Sequence, residues 1–282
     1  MTEQRRRRTF NRILVTLDST RINKSALESA ALLAETMQYE LVGLFIEDSD
    51  LMALASLPFS TEVRTTGVVQ KLDPAEVQKE VASSAAAARY AIRQVAGRHQ
   101  IRWSFRSVRG GHGAEFSEAT EEMDILCVSR RRSDRYRRAA MQNPVRMVME
   151  KQSPILVAGQ LSGRIDKPIA IIVDREVGSS ESLRLAGQIA AKAKTGLVVL
   201  EFLPLDADIS RVRDQIESQL PVDVTLRTVL VGRDDPCGLL DILRRNDYSL
   251  ALYGVHEGMA SPAWLDYVTD AGDCPLLLVP ED

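Results

Sequence analysis

The same order of predicted elements occurs twice along the chain, and this repetition limits the possible folds more than any other feature. The first half opens with an apolar strand, Arg12–Asp18, and the pattern restarts after Lys167 with a strand over 169–174 that also ends in an acid. In each half, four strand–helix pairs precede a fifth strand. A repeat of this length is typical of two copies of one domain rather than of a solenoid.

Strands that alternate with helices predict parallel sheets, because two strands joined by a helix are most simply parallel neighbours with a right-handed crossover. We therefore predict an α/β fold with two tandem five-stranded, mainly parallel sheets and helices on both faces. The predicted first domain is 1–159 and the second is 167–282. Between them, 160–166 is predicted to be a linker whose flexibility comes from Gly159 and Gly163.

The segment 49–72 interrupts the repeat in the first half. It carries a group of apolar residues over 51–59 and is broken by Pro58 and Gly67. One interpretation is a loop that packs its own apolar side chains onto the domain. The other is a lid over a cleft or a docking surface for a partner.

Composition excludes several classes of function. The 282 residues include 36 basic and 39 acidic ones, and a net charge of −3 does not favour binding to nucleic acid. Three cysteines, Cys127, Cys237 and Cys274, are too few and odd in number for a disulfide framework, which predicts a cytoplasmic protein. No apolar run of about 18 residues occurs, so no transmembrane segment is predicted. The arginines at 5–8 are interpreted as a solvated tail.

No motif for catalysis is evident. The three histidines, His99, His112 and His256, lie in separate segments without ligand spacing, so no metal site is predicted. No Walker A motif, Gly-x-Ser-x-Gly elbow or zinc signature is present. We therefore predict that the chain is not an enzyme and has no catalytic residue. Ser180, after Gly178, is interpreted as a helix cap.

Three features resemble the universal stress protein (UspA) family in its tandem two-domain form. They are the strand ending in Asp18 before an alanine-rich helix, and the closing strands at 153–157 and 274–279. The resemblance covers nearly the whole chain, twice over. It implies a Rossmann-like, adenine nucleotide alpha hydrolase-like fold. It also implies that the two halves pair with each other, so that one chain resembles a dimer, and it leaves a homodimer of the whole chain open.

Some members of that family bind ATP through a glycine motif after the fourth strand, in which two residues separate the first glycines and a Gly-Ser or Gly-Thr pair ends the loop. Glycines let the backbone approach the phosphates, and the hydroxyl group and the next helix point donors at them. When the motif is counted back from Pro154, its glycines fall near Ser129 and Arg132, and its hydroxyl residue falls at Gln142. The first half therefore carries a degenerate motif.

The second half keeps two glycines of that motif, Gly254 and Gly258, but with three residues between them instead of two. Only Met259 and Ala260 separate Gly258 from the helix start at Ser261. A loop this short cannot surround a triphosphate as the family's loop does.

Six arginines within 130–138 have side chains that could replace the missing backbone donors. Arginine suits phosphate and carboxylate groups, so the loop is either an anion site or a solvated surface. Asp18 and Asp174 match the family's first-strand acid, which lies near the nucleoside in ATP-binding members. Their alternative interpretation is a polar strand end.

The leading hypothesis is a cytoplasmic, non-enzymatic universal stress protein, without a cofactor, that binds a protein partner or regulatory ligand through 51–59 or 130–138. The alternative is a nucleotide- or anion-binding stress protein with at most slow ATP hydrolysis. A membrane-associated regulator of a transporter rests on family analogy alone. The candidate binding residues for ATP or another nucleotide are Asp18, Ser129, Arg130, Arg132, Gln142, Asp174, Gly254 and Gly258.

Overall fold

A computed structural model describes most of the chain. The described residues are 11–18, 24–47, 49–63, 67, 69–109, 125–129, 144–159, 163–174, 180–203, 209–220, 224–232, 236–245, 248–256, 265, 268–269 and 273–281. The predicted arginine loop at 130–138 and the predicted helix start at Ser261 lie outside these residues.

The described elements alternate between strands and helices, as predicted. In chain order they are β1 (Arg12–Asp18), α1 (Lys24–Met37), β2 (Glu40–Glu47), α2 (Ser49–Ala55), β3 (Thr61–Val63), β4 (Val69–Lys71), α3 (Pro74–Arg98), β5 (Trp103–Arg109), β6 (Ile125–Val128), α4 (Pro144–Lys151), β7 (Ile155–Val157), β8 (Ile169–Val173), α5 (Glu181–Ala193), β9 (Leu197–Leu203), α6 (Ile209–Glu217), β10 (Leu226–Gly232), α7 (Pro236–Arg244), β11 (Leu250–His256) and β12 (Leu276–Glu281). The predicted α/β fold is confirmed.

Ten strands form one continuous sheet in the order β10-β9-β8-β11-β12-β7-β6-β1-β2-β5. Within each half the strands are parallel and follow the order of a doubly wound domain. The halves meet at β7 and β12, which pair antiparallel with Val157 opposite Leu276. The two predicted sheets are thus joined edge to edge, and the strands of one half run opposite to those of the other.

Helices cover both faces because alternate strand residues point to opposite sides. Ile13 and Ile169 belong to a core that also contains buried residues of α1, α3, α5 and α6. Leu14 and Ala170 belong to a second core, under α4 and α7. Each core contains residues of both halves. The hydrophobic interior is therefore shared across the β7–β12 seam.

Close backbone contact at this seam depends on Gly159, just after β7. A Cβ atom at this position would lie 2.3 Å from the carbonyl oxygen of Asp273 and 2.4 Å from the nitrogen of Pro275. The Ser29 hydroxyl donates to the Gly159 carbonyl at 3.3 Å in a buried hydrogen bond. The expectation that Gly159 adds flexibility to a linker is wrong, because this residue is a packed part of the interface between the halves.

A lysine also joins the two halves. The Lys192 ammonium group, on α5, donates to the Met37 carbonyl at 2.8 Å, where α1 ends and its last carbonyls need partners. The same nitrogen lies 5.8 Å from the centre of the Tyr39 ring. Lys192 therefore caps a helix of the first half from a helix of the second.

The insert at 49–72 is not the predicted loop. It forms α2 and an antiparallel hairpin of β3 and β4, and a small core fixes it to α3 through Ala55, Leu72 and Val77. A helix places only one side of 51–55 against α3, so that Leu51 and Met52 pack inward while Leu54 is 50% exposed. The predicted inward packing is correct for part of the apolar group and wrong for the rest.

Candidate functional site

In doubly wound sheets, ligands bind beyond the carboxyl ends of the strands, where the strand order reverses. That place lies between β8 and β11 in the second half and between β1 and β6 in the first. Because the halves run in opposite directions, the two places lie at opposite ends of the strands. The structure gives more detail at the carboxyl ends of β8 and β11, in the second half.

Helix α5 begins at this place, and its first turn is capped by a serine. Ser180 has an extended backbone, with φ −109° and ψ 119°, and its hydroxyl oxygen accepts from the Leu183 amide at 3.1 Å. The Ser180 amide donates to the Gln219 side-chain oxygen at 3.0 Å. The prediction that Ser180 caps a helix is confirmed, since its oxygen satisfies one of the amides that a helix start leaves open.

The carboxylate of Glu281 occupies the same helix start. Its Oε1 atom accepts from the Ser182 amide at 2.9 Å and from the hydroxyl groups of Ser182 and Ser180 at 2.5 and 2.7 Å. A negative charge is favourable there because the amides at a helix N-terminus carry partial positive charge. A side chain of the last strand thus takes the position that a bound anion would need.

Gly254 makes room for this carboxylate. A Cβ atom on Gly254 would lie 2.7 Å from Cγ and Oε1 of Glu281. Gly254 also lies inside β11, which pairs with β12 as far as His256 opposite Glu281. The sequence predicts Gly254 in a shortened loop after the fourth strand, and this placement is wrong, because the cross-strand pairing continues through the glycine.

Two more carboxylates lie at this end of the second half. The Tyr253 hydroxyl donates to Oδ2 of Asp174 at 2.7 Å. Glu201, near the end of β9 and opposite Val173, is fully buried. The carboxylates of Asp174 and Glu281 add negative charge at these strand ends, which disfavours a highly charged triphosphate by like-charge repulsion.

The first-half candidates lie elsewhere. Asp18 ends β1 and Ser129 follows the adjacent strand β6, so both are at the carboxyl end of the first half. Asp174 is five strand positions from Asp18, or about 24 Å across the sheet, and at the opposite strand end. Asp18 and Asp174 therefore cannot line one site. The candidates Arg130, Arg132, Gln142 and Gly258 lie outside the described residues.

Register shows what the first half has in place of Gly254. Ile155 and Leu276 are the first residues of the closing strands, and they pair with Leu126 and Ala251 respectively. Three residues after these partners stand Ser129 and Gly254. The half-buried Ser129 is thus the counterpart of Gly254, and the first half lacks a bare backbone at that position.

Sequence reasoning missed Glu281, Ser182 and Gln219. An available signal was the combination of an acid at the end of the last strand and a glycine in the adjacent strand. Because β11 and β12 are parallel neighbours, such an acid lies at the carboxyl end, where it can reach the next helix start across the glycine.

Cys127 and His99 have structural partners. Cys127 is buried and donates to the Ala26 carbonyl at 3.4 Å, and burial raises the pKa of its thiol. Nδ1 of His99 lies 2.6 Å from Oε2 of Glu35, which joins α3 to α1. Within the described ranges, no group of three or more His, Cys, Asp or Glu side chains is arranged to hold a metal ion.

The part of the chain that the structure describes has no helix that is both long and apolar enough to cross a membrane.

No protein-family model and no curated protein matches this sequence. Solved structures do match over nearly the full length. A universal stress protein from Archaeoglobus fulgidus DSM 4304 superposes with a TM-score of 0.64 at 11% identity, covering 95% of this chain and 96% of that one. A functionally unknown protein from Pseudomonas aeruginosa PAO1 gives 0.57 at 15% identity, covering 97% and 93%. A candidate universal stress protein from Pseudomonas aeruginosa UCBPP-PA14 gives 0.56 at 15%, covering 96% and 93%.

At these identities the likeness is one of fold. The chain has the α/β fold of the universal stress proteins, over almost its entire length, and the predicted resemblance is confirmed at that level.

Proposed function

We propose that this chain is a cytoplasmic, non-enzymatic universal stress protein that binds a protein partner or regulatory ligand and does not bind ATP as the family's glycine loop does. The shared fold supports the family assignment. The observation that carries the proposal on ATP is the Glu281 carboxylate on the first turn of α5, because it fills the second half's anion position from within the chain.

The energetic consequence can be estimated from these contacts. A phosphate that entered here would have to displace a carboxylate that accepts three hydrogen bonds. Hydrogen bonds to charged groups contribute about 1.5–3 kcal/mol each. Losing even two of them costs at least about 3 kcal/mol, which weakens binding roughly 100-fold.

Other features support the same proposal. In the first half, Ser129 replaces the bare backbone that Gly254 provides in the second. The buried thiols of Cys127 and Cys274 fit a reducing cytoplasm. The exposed apolar side chains of the insert, Phe59 above all, provide a surface for a partner.

The nucleotide part is tested on the purified full chain. Mass spectrometry and absorbance at 260 nm should detect no co-purified nucleotide. Isothermal titration at low salt should detect no binding of ATP with Mg²⁺, and phosphate release from ATP should stay at the buffer rate. Stoichiometric ATP in the wild-type protein would overturn the proposal and favour the nucleotide-binding alternative.

Tripolyphosphate tests the role of Glu281 directly. We expect Glu281→Ala to bind this anion measurably more tightly than the wild type. Glu217→Ala, which removes an exposed acid from the end of α6, serves as the matched control and should bind no better than the wild type. Equal binding by all three proteins would show that the carboxylate does not block the anion position.

A further inference from the structure

Strand β5 forms one edge of the ten-stranded sheet, and among the described residues it pairs only with β2. The Leu41 amide donates to the Arg102 carbonyl at 2.9 Å, which fixes the direction of the backbone groups along β5. In a parallel ladder, successive residues turn these groups to alternate sides of the strand. The amides and carbonyls of Trp103, Phe105 and Ser107 therefore point away from β2, and no described residue bonds to them.

The same part of the chain concentrates positive charge. Residues 81–109 contain six arginines and no aspartate, glutamate or lysine, although the whole chain has a net charge of −3. Two of the six have acidic partners on neighbouring elements, since Arg98 pairs with Glu28 and Nε of Arg109 lies 3.1 Å from Oε2 of Glu47. The other four form no ion pair with any described acid.

Two of these four arginines lie along the open edge. Arg102 and Arg106 are exposed, and they share one face because alternate residues of a strand point to the same side. Four residues of extended chain place their Cα atoms about 13 Å apart. The half-buried Ser104 lies between them, while Trp103 and Phe105 pack on the other face against the core beneath α1 and α3. The edge thus presents two guanidinium groups at a fixed spacing beside open backbone groups.

The opposite edge of the sheet carries much less charge. Strand β10 is the counterpart of β5 in the second half, and among the described residues it pairs only with β9. Arg227 is the one charged residue within β10, and Leu230 is exposed there. A position at the sheet edge does not by itself require an arginine pair, so the pair on β5 needs an explanation of its own.

We propose that β5 binds an extended acidic segment of another protein, which joins the sheet as an additional strand. The backbone of this segment pairs with the outward groups of Trp103–Ser107, and two of its carboxylates, four residues apart, pair with Arg102 and Arg106. Main-chain bonds supply the affinity of such a strand, and alternate side chains supply the specificity. This surface is separate from 51–59 and 130–138, and the inference rests on the proposed function only in taking a protein as the partner.

The open backbone and the charge together favour this occupant over two others. Phosphate groups of a nucleic acid accept hydrogen bonds but give none to the carbonyls of an edge, whereas a peptide strand satisfies amides and carbonyls alternately. A second copy of β5 would bring arginines close to arginines, and like charges across a strand pair are destabilising. Arginine instead suits carboxylates, with which it forms paired hydrogen bonds.

Fluorescence anisotropy tests the proposal on the full chain with a fluorescein-labelled peptide of sequence TEVTVEVT. Its two glutamates are four residues apart on one face of an extended strand, and its other residues favour strands. At about 20 mM salt, where charges are weakly screened, we expect a dissociation constant on the order of 100 μM, since one added strand makes a small interface. The same peptide with glutamine at both positions is the matched probe and should bind about 10-fold more weakly.

Arginine variants test the charge pairs. Arg102→Gln/Arg106→Gln removes both charges and keeps long polar side chains, so it should weaken binding of the acidic peptide about 10-fold. It should bind the glutamine peptide as the wild type does. Arg227→Gln, on β10, is the matched control and should leave both dissociation constants unchanged.

A proline variant tests the backbone contact. Ser107→Pro removes an outward amide and leaves the bonds to β2 in place, because proline is tolerated on edge strands where its nitrogen faces away from the sheet. It also loses the hydroxyl that donates to Glu47 at 2.7 Å, so Ser107→Ala is its control. We expect the proline variant to bind the acidic peptide about 5-fold more weakly than the alanine variant. Circular dichroism checks its fold, and the arginine variant decides the question if the proline variant does not fold.

The contrary outcomes are distinct from one another. No binding of the acidic peptide up to about 1 mM, or binding that survives the loss of both arginines, would overturn the proposal. Tighter binding of labelled oligouridine, unaffected by Ser107→Pro, would overturn it in favour of a nucleic acid. Each of these results would leave partner binding through 51–59 in place. Stoichiometric ATP in the purified protein would overturn the proposed function and would not alter the peptide titration.

Discussion

Replacement of Gly159 by alanine tests how closely the two halves pack. The added Cβ atom would lie 2.3 Å from the Asp273 carbonyl oxygen, 2.4 Å from the Pro275 nitrogen and 2.7 Å from the Cys274 carbonyl carbon. Favourable carbon contacts lie at about 3.5–4.0 Å, so the opposing backbone would have to retreat by more than about 1 Å. All three contacts are backbone atoms just before β12, and no flexible side chain can move aside.

The cost follows from this geometry. Overpacking a well-packed interior typically costs about 1–3 kcal/mol, and a clash with paired backbone belongs at the upper end. The shift would also strain the buried hydrogen bond from Ser29 to the Gly159 carbonyl. We expect a loss of about 3 kcal/mol, which corresponds to a melting temperature lower by about 5 °C for a chain of this size.

Differential scanning calorimetry measures this effect, with urea unfolding followed by circular dichroism as a second assay. Gly97→Ala is the matched control, since Gly97 lies within α3 and no atom lies within 4 Å of its added Cβ. Alanine in a helix is favoured over glycine by about 0.5–1 kcal/mol, so the control should melt at the same temperature or higher. A Gly159→Ala protein that melts within about 1 °C of the wild type would refute the proposed tight packing at the seam.

Three further predictions follow from the described contacts. Lys192→Met should lower the free energy of unfolding by about 1 kcal/mol in urea titrations, because the Met37 carbonyl at the end of α1 loses its donor. An unchanged free energy of unfolding would contradict the role of Lys192 as a helix cap. Tyr253→Phe should cost about 1–2 kcal/mol by leaving Asp174 without this donor, whereas Tyr90→Phe, on an exposed ring, should cost nothing. In the native protein, Ellman's reagent should react with one thiol, that of the exposed Cys237, and in denaturant it should react with all three. A rapid reaction of Cys127 in the native protein would contradict its burial and the raised pKa of its thiol.

Much of the fold was predictable because strands and helices leave a periodic apolar pattern. The strand at Arg12–Asp18 was predicted with its observed bounds. What periodicity cannot show is which sheet edges meet. The pairing of Val157 with Leu276 depends on contacts between residues that are remote in sequence, and nothing local to either strand specifies the partner.

The candidate site was harder to predict because it is built from three separated segments. Ser180 was identified as a cap from local sequence alone, since capping involves neighbours in the chain. Glu281 could not be assigned that way, because its partners Ser180 and Ser182 lie about a hundred residues earlier. Gly254 was noticed for the correct reason, a need for bare backbone, but a carboxylate of the same chain uses that space.

The antiparallel pairing of β7 with β12 has a consequence for how the chain is made. Val157 emerges from the ribosome well before its partner Leu276, which is 119 residues later (276 minus 157). At about 5–20 residues per second, the edge of β7 waits about 6–24 s for the strand that covers it. During that time the nascent first half exposes an apolar edge that suits antiparallel pairing. On a polysome, where copies are close together, β7 of one nascent chain can pair with β7 of the next, so the speed of translation bears on the yield of correctly paired protein.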